Sequence, residues 1–418
     1  MSTRQAGMPR LPRPAAFAAL VAALLALMAS ASAPSPVYHL YQERMGFPTW
    51  MLTLIFGVYA VVLLGTLITA GSLSDHIGRR PALIAGLVLQ AGSTGLFWAA
   101  DGVPSLLIAR ILQGVSTGIA IGAVSAAMVD LSPRRFPWLG TTLSSAGLGV
   151  GLAAGAVTVG FVGQWTPSPD QWIFPSLTAL LGVLAIVMAF IPGVHPRKPG
   201  ALASLWPTIG ISASLRPVFA RALPGIVAGW AIMGLFMALG PSIVSADFEA
   251  DPTITGGYVI AILAASNAVG AVATARLTPS VGSSVGPALM VLGMAWTLFS
   301  AQLGSLPLHL VAAALAGAGA GASFTSAVRT IGAATPATHR AQTLSAIYAV
   351  SYLSLSVPAL GAGIIATNAG LGTAVDAIGA FVMVVASTGA ALAGIHRPAA
   401  QPAHPLPETR PISVAASH

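Results

Sequence analysis

The sequence contains no cysteine, and only 7% of its 418 residues are charged. The missing cysteines exclude disulfide bonds, thiolate metal sites and catalysis by a thiol. A water-soluble protein of this length would have about a quarter of its residues charged, because charges cover its surface. The low charge therefore excludes a soluble globular protein, and the alternative solvent is lipid.

Apolar residues take the place of the missing charges. Hydrophobic types make up 56% of the chain, glycine occurs 46 times and the mean hydropathy is +0.85. Because a helix needs about 20 apolar residues to cross a bilayer, these runs predict an all-α integral membrane protein with twelve transmembrane helices. The predicted spans are 15–34, 50–70, 81–100, 104–128, 138–162, 171–192, 223–244, 255–275, 286–304, 307–328, 342–364 and 371–394.

The isoelectric point near 10.8 comes from basic residues scattered in ones and twos. They form no basic stripe with interleaved aromatics, so we expect no nucleic-acid partner. Cytoplasmic loops of membrane proteins retain positive charge. With the N-terminus inside, every Lys and Arg except Arg44 and Arg110 falls in a cytoplasmic segment. This sorting predicts cytoplasmic N- and C-termini, and most acidic residues fall on the other side.

The spans divide six and six, and the two halves resemble each other. "GSLSDHIGRR" from Gly71 and "ARLTPSVGSS" from Ala275 each follow the second span of their half. Such repeats are typical of secondary transporters built around a central site. We therefore predict two pseudo-symmetric six-helix bundles. The predicted domains are an N-terminal bundle over 1–194, a cytoplasmic linker over 195–222, a C-terminal bundle over 223–395 and a disordered cytoplasmic tail over 396–418.

The first span has an alternative interpretation. Arg10 and Arg13 precede an Ala/Leu run and "ASASA" from Ala29, which resembles a secretory signal peptide with a cleavage site. Cleavage would leave eleven spans. The six-plus-six symmetry needs the first span, so we expect it to be retained.

The turn between the second and third spans concentrates charge, with Asp75, Arg79 and Arg80 inside ten residues. Asp75 and Arg79 are spaced to pair with each other or with a neighbouring helix end, where Asp130 is the expected extra partner. Topology-setting arginines at a membrane edge are the simpler alternative. The turn resembles the loop 2–3 signature of the major facilitator superfamily, with His76 replacing its usual basic residue; the matching residues are Gly71, Leu73, Asp75, Gly78, Arg79 and Arg80.

Two further stretches are similar to motifs of the same superfamily. "RILQGVSTG" from Arg110 resembles its span-four motif, and "DLSPRR" from Asp130 resembles its loop 4–5 pattern. The resemblance implies two bundles rocking around a midplane cavity, with Asp75, Arg79 and Asp130 latching the outward-facing state. We expect no cofactor and no metal.

Arg110 is the one strongly basic residue inside a predicted span. A central arginine costs roughly 2.5–3.5 kcal/mol on insertion scales, and such residues usually face a cavity and have a function. One alternative is a structural arginine capped by backbone carbonyls. The other is that Arg110, Gln113 and Gly114 bind an anionic or polar group or respond to proton movement. In the exporters that this sequence resembles, the corresponding arginine is linked to proton coupling.

Glycines recur at four-residue spacing in span five, at Gly147, Gly151 and Gly155. The pattern resembles the glycine-rich motif of drug/proton antiporters, but Leu152 and Ala156 stand where that motif has proline and glycine. Close helix packing is the alternative explanation.

The spans hold no Asp or Glu near their centres. Any proton carrier is then peripheral, with Asp75 and Glu43 as the candidates, and neutral, amphiphilic or anionic substrates fit better than strong cations. Trp230, Tyr348 and Tyr352 are candidates for lining an apolar cavity, although aromatics at helical spacing more often pack or face lipid.

These observations favour a secondary active transporter over an enzyme, because no catalytic motif such as H-E-x-x-H or G-x-S-x-G is present. We predict a monomeric exporter of small amphiphilic or drug-like molecules in a bacterial inner membrane, with proton coupling left open. A metabolite importer of the same fold is the alternative. Its sugar-type branch carries "PESPR" after span six, whereas this chain has "PGVHPRKPG".

Overall fold

The structure is a computed structural model that describes residues 10–71, 73–192 and 209–395. Within these ranges the chain is helical throughout, with turns and two short 3-10 segments between the α-helices. The helices are α1 (Arg13–Ser32), α2 (Pro34–Met45), α3 (Thr49–Ala70), α4 (Leu73–Ile77), α5 (Arg79–Trp98), α6 (Val103–Asp130), α7 (Trp138–Gly163), α8 (Asp170–Met188), α9 (Arg216–Phe248), α10 (Ile254–Ala275), α11 (Pro279–Leu303), α12 (Leu306–Ala334), α13 (Arg340–Ala369) and α14 (Leu371–Ile395).

Twelve helical segments of the described chain are long and apolar enough to cross a membrane, which confirms the predicted number of spans. The first of them combines α1 and α2 into one segment, Arg13–Met45. The two helices are separated only at Ala33, because Pro34 and Pro36 lack the N–H groups that would continue the helix. The predicted spans leave Glu43 in the loop after span one, whereas the structure places it inside α2.

The helices pack in two bundles that repeat the same pairings. In the first bundle α6 packs against α5 and α3, α1 against α7, and α5 against α8. In the second bundle the equivalent pairs are α12 with α11 and α10, α9 with α13, and α11 with α14. The bundles meet mainly where α3 contacts α13 and α7 contacts α10. These two contacts are equivalent under a twofold exchange of the halves, as the predicted pseudo-symmetry requires.

Several helix ends differ from the prediction. α9 begins at Arg216, inside the segment predicted as linker, because Pro217 in its first turn is already set for helical φ. α11 begins at Pro279 for the same reason, and α12 continues past residue 328 to Ala334. The remaining limits of the predicted domains stay predictions. Residues 193–208 and the predicted tail lie outside the described residues.

Candidate functional site

A cavity of about 680 Å³ lies between the two bundles, within the size range of sites for drug-like molecules. Its lining extends to Trp138 at the start of α7 and to Arg276 directly after α10, and both residues are exposed. It therefore opens at the face that carries Arg134, Arg135, Arg276 and Arg329. We call this the arginine-rich face, which the charge sorting predicts to be cytoplasmic.

The second bundle supplies an aromatic wall to this cavity. Trp230 of α9 stands edge-on to Tyr352 of α13, with 4.9 Å between ring centroids, and edge-on to Phe324 of α12 at 5.6 Å. Tyr348 stacks on Tyr352 at 6.4 Å. We define the aromatic wall as Trp230, Phe324, Tyr348 and Tyr352, all of which line the cavity. It contains the three aromatics singled out from the sequence.

The polar groups of the lining are few. Arg276 and Arg329 are the charged side chains among the described lining residues, which include no Asp or Glu. Asn267 on α10 and Thr325 on α12 lie farther inside, and Met233 and Met237 of α9 add flexible apolar surface. Methionine adapts to ligands of different shape. The cavity thus has an apolar interior and a basic mouth.

The opposite face, which carries Asp101, Asp170 and Asp251, is closed by contacts between the bundles. Gln164 at the end of α7 donates to the Tyr258 hydroxyl at 2.5 Å. His39 Nε2 lies 3.1 Å from Thr253 Oγ1, and the Trp50 N–H donates to Thr367 Oγ1 at 3.0 Å. Next to them, α7 and α10 meet at Gly160 and Gly257, where a Cβ on Gly257 would lie 2.7 Å from the Ala156 carbonyl oxygen. Only a residue without a side chain fits there.

Arg110 lies one layer behind the cavity wall and is fully buried. Its Nε donates to the Tyr38 hydroxyl at 2.5 Å, and its Nη1 donates to the Ala31 carbonyl at 3.3 Å and to Gln113 Oε1. Its guanidinium carbon lies 5.2–5.4 Å from the ring centroids of Tyr38, Tyr59 and Phe97. Aromatic faces attract a desolvated cation. No carboxylate appears among these contacts, so Arg110 is held by aromatic faces, a hydroxyl, a side-chain amide and a backbone carbonyl.

Gln113 extends this buried polar group towards α1. Its Nε2 donates to the Ser30 carbonyl at 2.8 Å, and Gln90 of α5 donates to the Ser30 hydroxyl at 2.7 Å. Arg110 reaches the cavity through Ala31 and Tyr59, which contact it and also line the cavity. Gly114 lies instead in the contact between α6 and α3, where a Cβ would come 2.8 Å from the Tyr59 carbonyl oxygen.

The charged turn lies at the arginine-rich face, within the first bundle. Gly78 has φ +99°, a conformation open to glycine, and it directly precedes α5. Arg79 forms an ion pair with Asp130 at the end of α6 and donates to the Ala126 carbonyl at 3.0 Å. Arg80 is half-buried beside it, and Gly71 directly follows α3. The side chain of Asp75 lies outside the described part of the chain.

The glycines of α7 divide between two partner helices. Gly147, Gly151 and Gly155 face α1, and a Cβ on Gly151 would lie 2.5 Å from the Met28 Cβ. A Cβ on Gly155 would overlap the Ala29 carbonyl and the Ser32 hydroxyl. Gly149 and Gly160 face α10 of the other bundle. The predicted glycine row therefore lies where α7 packs closely on α1.

Comparisons with known proteins agree with this architecture. The sequence pattern of the Major Facilitator Superfamily matches residues 15–300. The chain belongs to this superfamily. Its members are membrane transporters rather than enzymes, and the prediction of the family is confirmed.

Solved structures of the superfamily share the fold. The human organic anion transporter MFSD10 covers 91% of this chain and all of its own, with a TM-score of 0.62 and 16% identity. The xylose transporter XylE from E. coli, in an inward open conformation, covers 92% of this chain and 95% of its own, with a TM-score of 0.70 and 11% identity.

Curated relatives match over shorter stretches. The MFS-type transporter SLC18B1 of Mus musculus is 27% identical over 216 residues, which are 49% of this chain and 46% of the relative. The quinolone resistance protein NorA of Staphylococcus aureus is 23% identical over 163 residues, which are 39% of this chain and 41% of the relative. The chain thus aligns with less than half the length of these relatives.

The Arg79–Asp130 ion pair joins α5 to α6 within the first bundle, and the cavity between the bundles is open at the same face. The pair therefore does not itself close the opening. The predicted latch of the outward-facing state, which includes Asp75, stays a prediction. Both side chains are largely buried, at 16% and 19% exposed, so loss of either partner removes a charge pair from a site with little access to water.

We expect Arg79→Ala and Asp130→Asn each to lower the thermal unfolding midpoint, by roughly 1 °C per kcal/mol lost in a chain of this length. The double variant should be hardly worse than either single one, because the two side chains act as a pair. Thermal unfolding of the purified protein measures this, and Arg135→Ala is the control, since Arg135 is exposed at the same face. Additive losses in the double variant would contradict the pairing.

One prominent ion pair, Arg44 with Asp170, was not predicted from the sequence. Arg44 at the end of α2 forms a bidentate ion pair with Asp170 at the start of α8. Its Nη1 donates to Oδ2 at 2.6 Å and its Nη2 donates to Oδ1 at 3.1 Å. A signal was available, because Arg44 was the one basic residue that the charge sorting left outside. Its partner is distant in sequence and could not be chosen among the other outer acids.

Proposed function

We propose that this protein exports small amphiphilic molecules, neutral or anionic, by alternating access. The observation that carries the proposal is the cavity between the bundles, with its aromatic wall and a lining in which the described residues include no acid. Apolar pockets with a few placed polar groups are the usual sites for small organic ligands. A strong cation would find no carboxylate there, so it is the least suitable substrate.

Alternating access is supported by the contacts between the bundles. The described state is open at the arginine-rich face and closed opposite, where α7 meets α10 through glycines and α3 meets α13. Such contacts between small residues depend on close approach rather than on large side chains. A rocking movement could therefore separate them and close the other end. We further propose that the protein works as a monomer in a bacterial inner membrane.

The role of the aromatic wall can be tested with a neutral amphiphilic dye, phenylnaphthylamine. In proteoliposomes that contain the purified protein, we expect Trp230→Ala to lower the transport of this dye about tenfold, as the loss of a buried aromatic contact of about 1.4 kcal/mol would do. Trp172→Ala is the matched control, since Trp172 of α8 is 67% exposed. Equal rates for Trp230→Ala and the unaltered protein would contradict the cavity as the transport site.

Three further measurements test proton coupling, the direction of transport and the importer alternative. An imposed pH gradient that leaves the rate unchanged would exclude proton coupling. Cells that lack the gene should retain more dye than cells that have it, which tests the direction of export. Uptake of a labelled metabolite that depends on Arg110, together with no difference in dye retention, would favour the importer.

A further inference from the structure

The mouth of the cavity has two positive charges that the proposed function leaves unused. Arg276 and Arg329 belong to the second bundle, and both line the opening. The charge sorting explains why arginines lie at this face, but it does not explain why these two face the cavity. Arg134 and Arg135, at the same face, are exposed outside the described lining.

Both arginines lie at one helix end, that of α10. Arg276 directly follows α10 and is exposed. Arg329 of α12 reaches across and donates from Nη1 to the Thr274 carbonyl at 2.9 Å and to the Leu277 carbonyl at 2.8 Å. These carbonyls bracket Arg276 in the chain, so the Arg329 guanidinium lies beside the backbone that carries Arg276.

The local charge balance favours an added anion. The carbonyls at the end of α10 carry partial negative charge and offset part of the Arg329 charge. Arg276 has no acidic side chain beside it among the described lining residues. Low-dielectric walls around a charged opening concentrate its electric field. A ligand with a negative group would supply the missing counter-charge.

Polar side chains continue inward from the arginines on the same two helices. Thr325 is one turn from Arg329, about 6 Å along α12, and Asn267 is about 13 Å from Arg276 along α10, given 1.5 Å per residue. The aromatic wall lines the same cavity, mainly on α9 and α13. One cavity of about 680 Å³ thus offers basic, polar and aromatic groups to a small amphiphile.

We propose, building on the proposed function, that Arg276 and Arg329 form a subsite for the anionic head group of an amphiphilic substrate, such as a sulfonate or carboxylate. The apolar part of the substrate then rests on the aromatic wall. A guanidinium suits this role because its planar fork can hold two oxygens of such a group at once. Arg276 is the residue with the freer charge, so it contributes most of the selectivity.

Two dyes with the same skeleton test the subsite, because anilinonaphthalene sulfonate is phenylnaphthylamine with an added sulfonate. Binding of each is measured on the full-length protein in nanodiscs of phosphatidylcholine, which supplies no anionic lipid. We expect Arg276→Gln to weaken binding of the sulfonate about tenfold and binding of the neutral dye less than twofold. Arg276→Lys should restore part of the loss, and Arg134→Gln should change neither affinity.

The possible negative results distinguish the anion subsite from the cavity proposal. Equal weakening of both dyes, or of neither, by Arg276→Gln would overturn the subsite and leave the cavity proposal standing. If neither dye binds the unaltered protein, the cavity proposal fails and the subsite fails with it. Added phosphatidylglycerol that competes with the sulfonate only when Arg276 is present would support the subsite, with a lipid head group as a second source of the anion.

Discussion

Replacing Gly257 with leucine is expected to lower transport roughly a hundredfold, which needs a penalty of only about 3 kcal/mol on one of the two states. The new Cβ would lie 2.7 Å from the Ala156 carbonyl oxygen and 3.1 Å from the Gly160 backbone. These are backbone atoms of α7 and cannot rotate away, and overpacking of this kind costs about 1–3 kcal/mol before the rest of the side chain is counted. The contact between α7 and α10, which closes the face opposite the arginine-rich face, therefore cannot form.

The state of the protein can be read independently of transport, because the chain has no native cysteine. Thr253→Cys reports on the closed face, where Thr253 is 5% exposed, and Thr141→Cys reports on the open mouth. We expect Gly257→Leu to speed maleimide labelling at residue 253 and to slow it at residue 141. Gly182→Leu is the control, since a Cβ at Gly182 meets nothing within 4 Å. Normal transport by Gly257→Leu would refute a moving contact between α7 and α10.

The number of spans and the twofold arrangement could be predicted from the sequence because lipid imposes them. A backbone in hydrocarbon must satisfy its hydrogen bonds within each helix, so apolar runs translate directly into helices. Helix ends were predicted less well, since they depend on single residues. The first span continues beyond the break at Ala33 to Met45, and Pro217 starts α9 within a stretch of mixed polarity.

The side of a helix on which a residue lies was harder to predict than the number of spans. Trp230 and Phe236 are aromatic residues of the same helix, α9, but six residues rotate a helix by about 240°. Trp230 lines the cavity, whereas Phe236 is fully buried with its ring centroid 5.8 Å from that of His309. A helix that is apolar all round gives no periodicity from which the correct face could be chosen. The basic mouth was missed for a related reason, because Arg276 and Arg329 were interpreted only as topology signals.

Arg110→Ala is expected to lower transport about a hundredfold in proteoliposomes while the protein still folds. The side chain is a fully buried cation with no carboxylate among its contacts. Placing arginine at such depth costs roughly 2.5–3.5 kcal/mol on insertion scales, so a purely structural position would be more stable with an apolar residue. Its contacts join α1, α3, α5 and α6 directly behind Ala31 and Tyr59 of the cavity wall. A change in those contacts would therefore reach a bound substrate.

Conservative variants separate the charge of Arg110 from its shape. Arg110→Lys keeps the charge but loses the planar fork, so we expect a loss of about tenfold because the Tyr38 and Gln113 bonds cannot both form. Tyr38→Phe keeps the ring and removes one acceptor, and its loss should be about tenfold, the cost of one hydrogen bond from a charged group of about 1.5 kcal/mol. If Arg110 responds to proton movement, Arg110→Ala should abolish the effect of a pH gradient and spare exchange of dye without one. An Arg110→Ala protein that transports at the original rate, with its response to the gradient intact, would show instead that the buried cation serves packing alone.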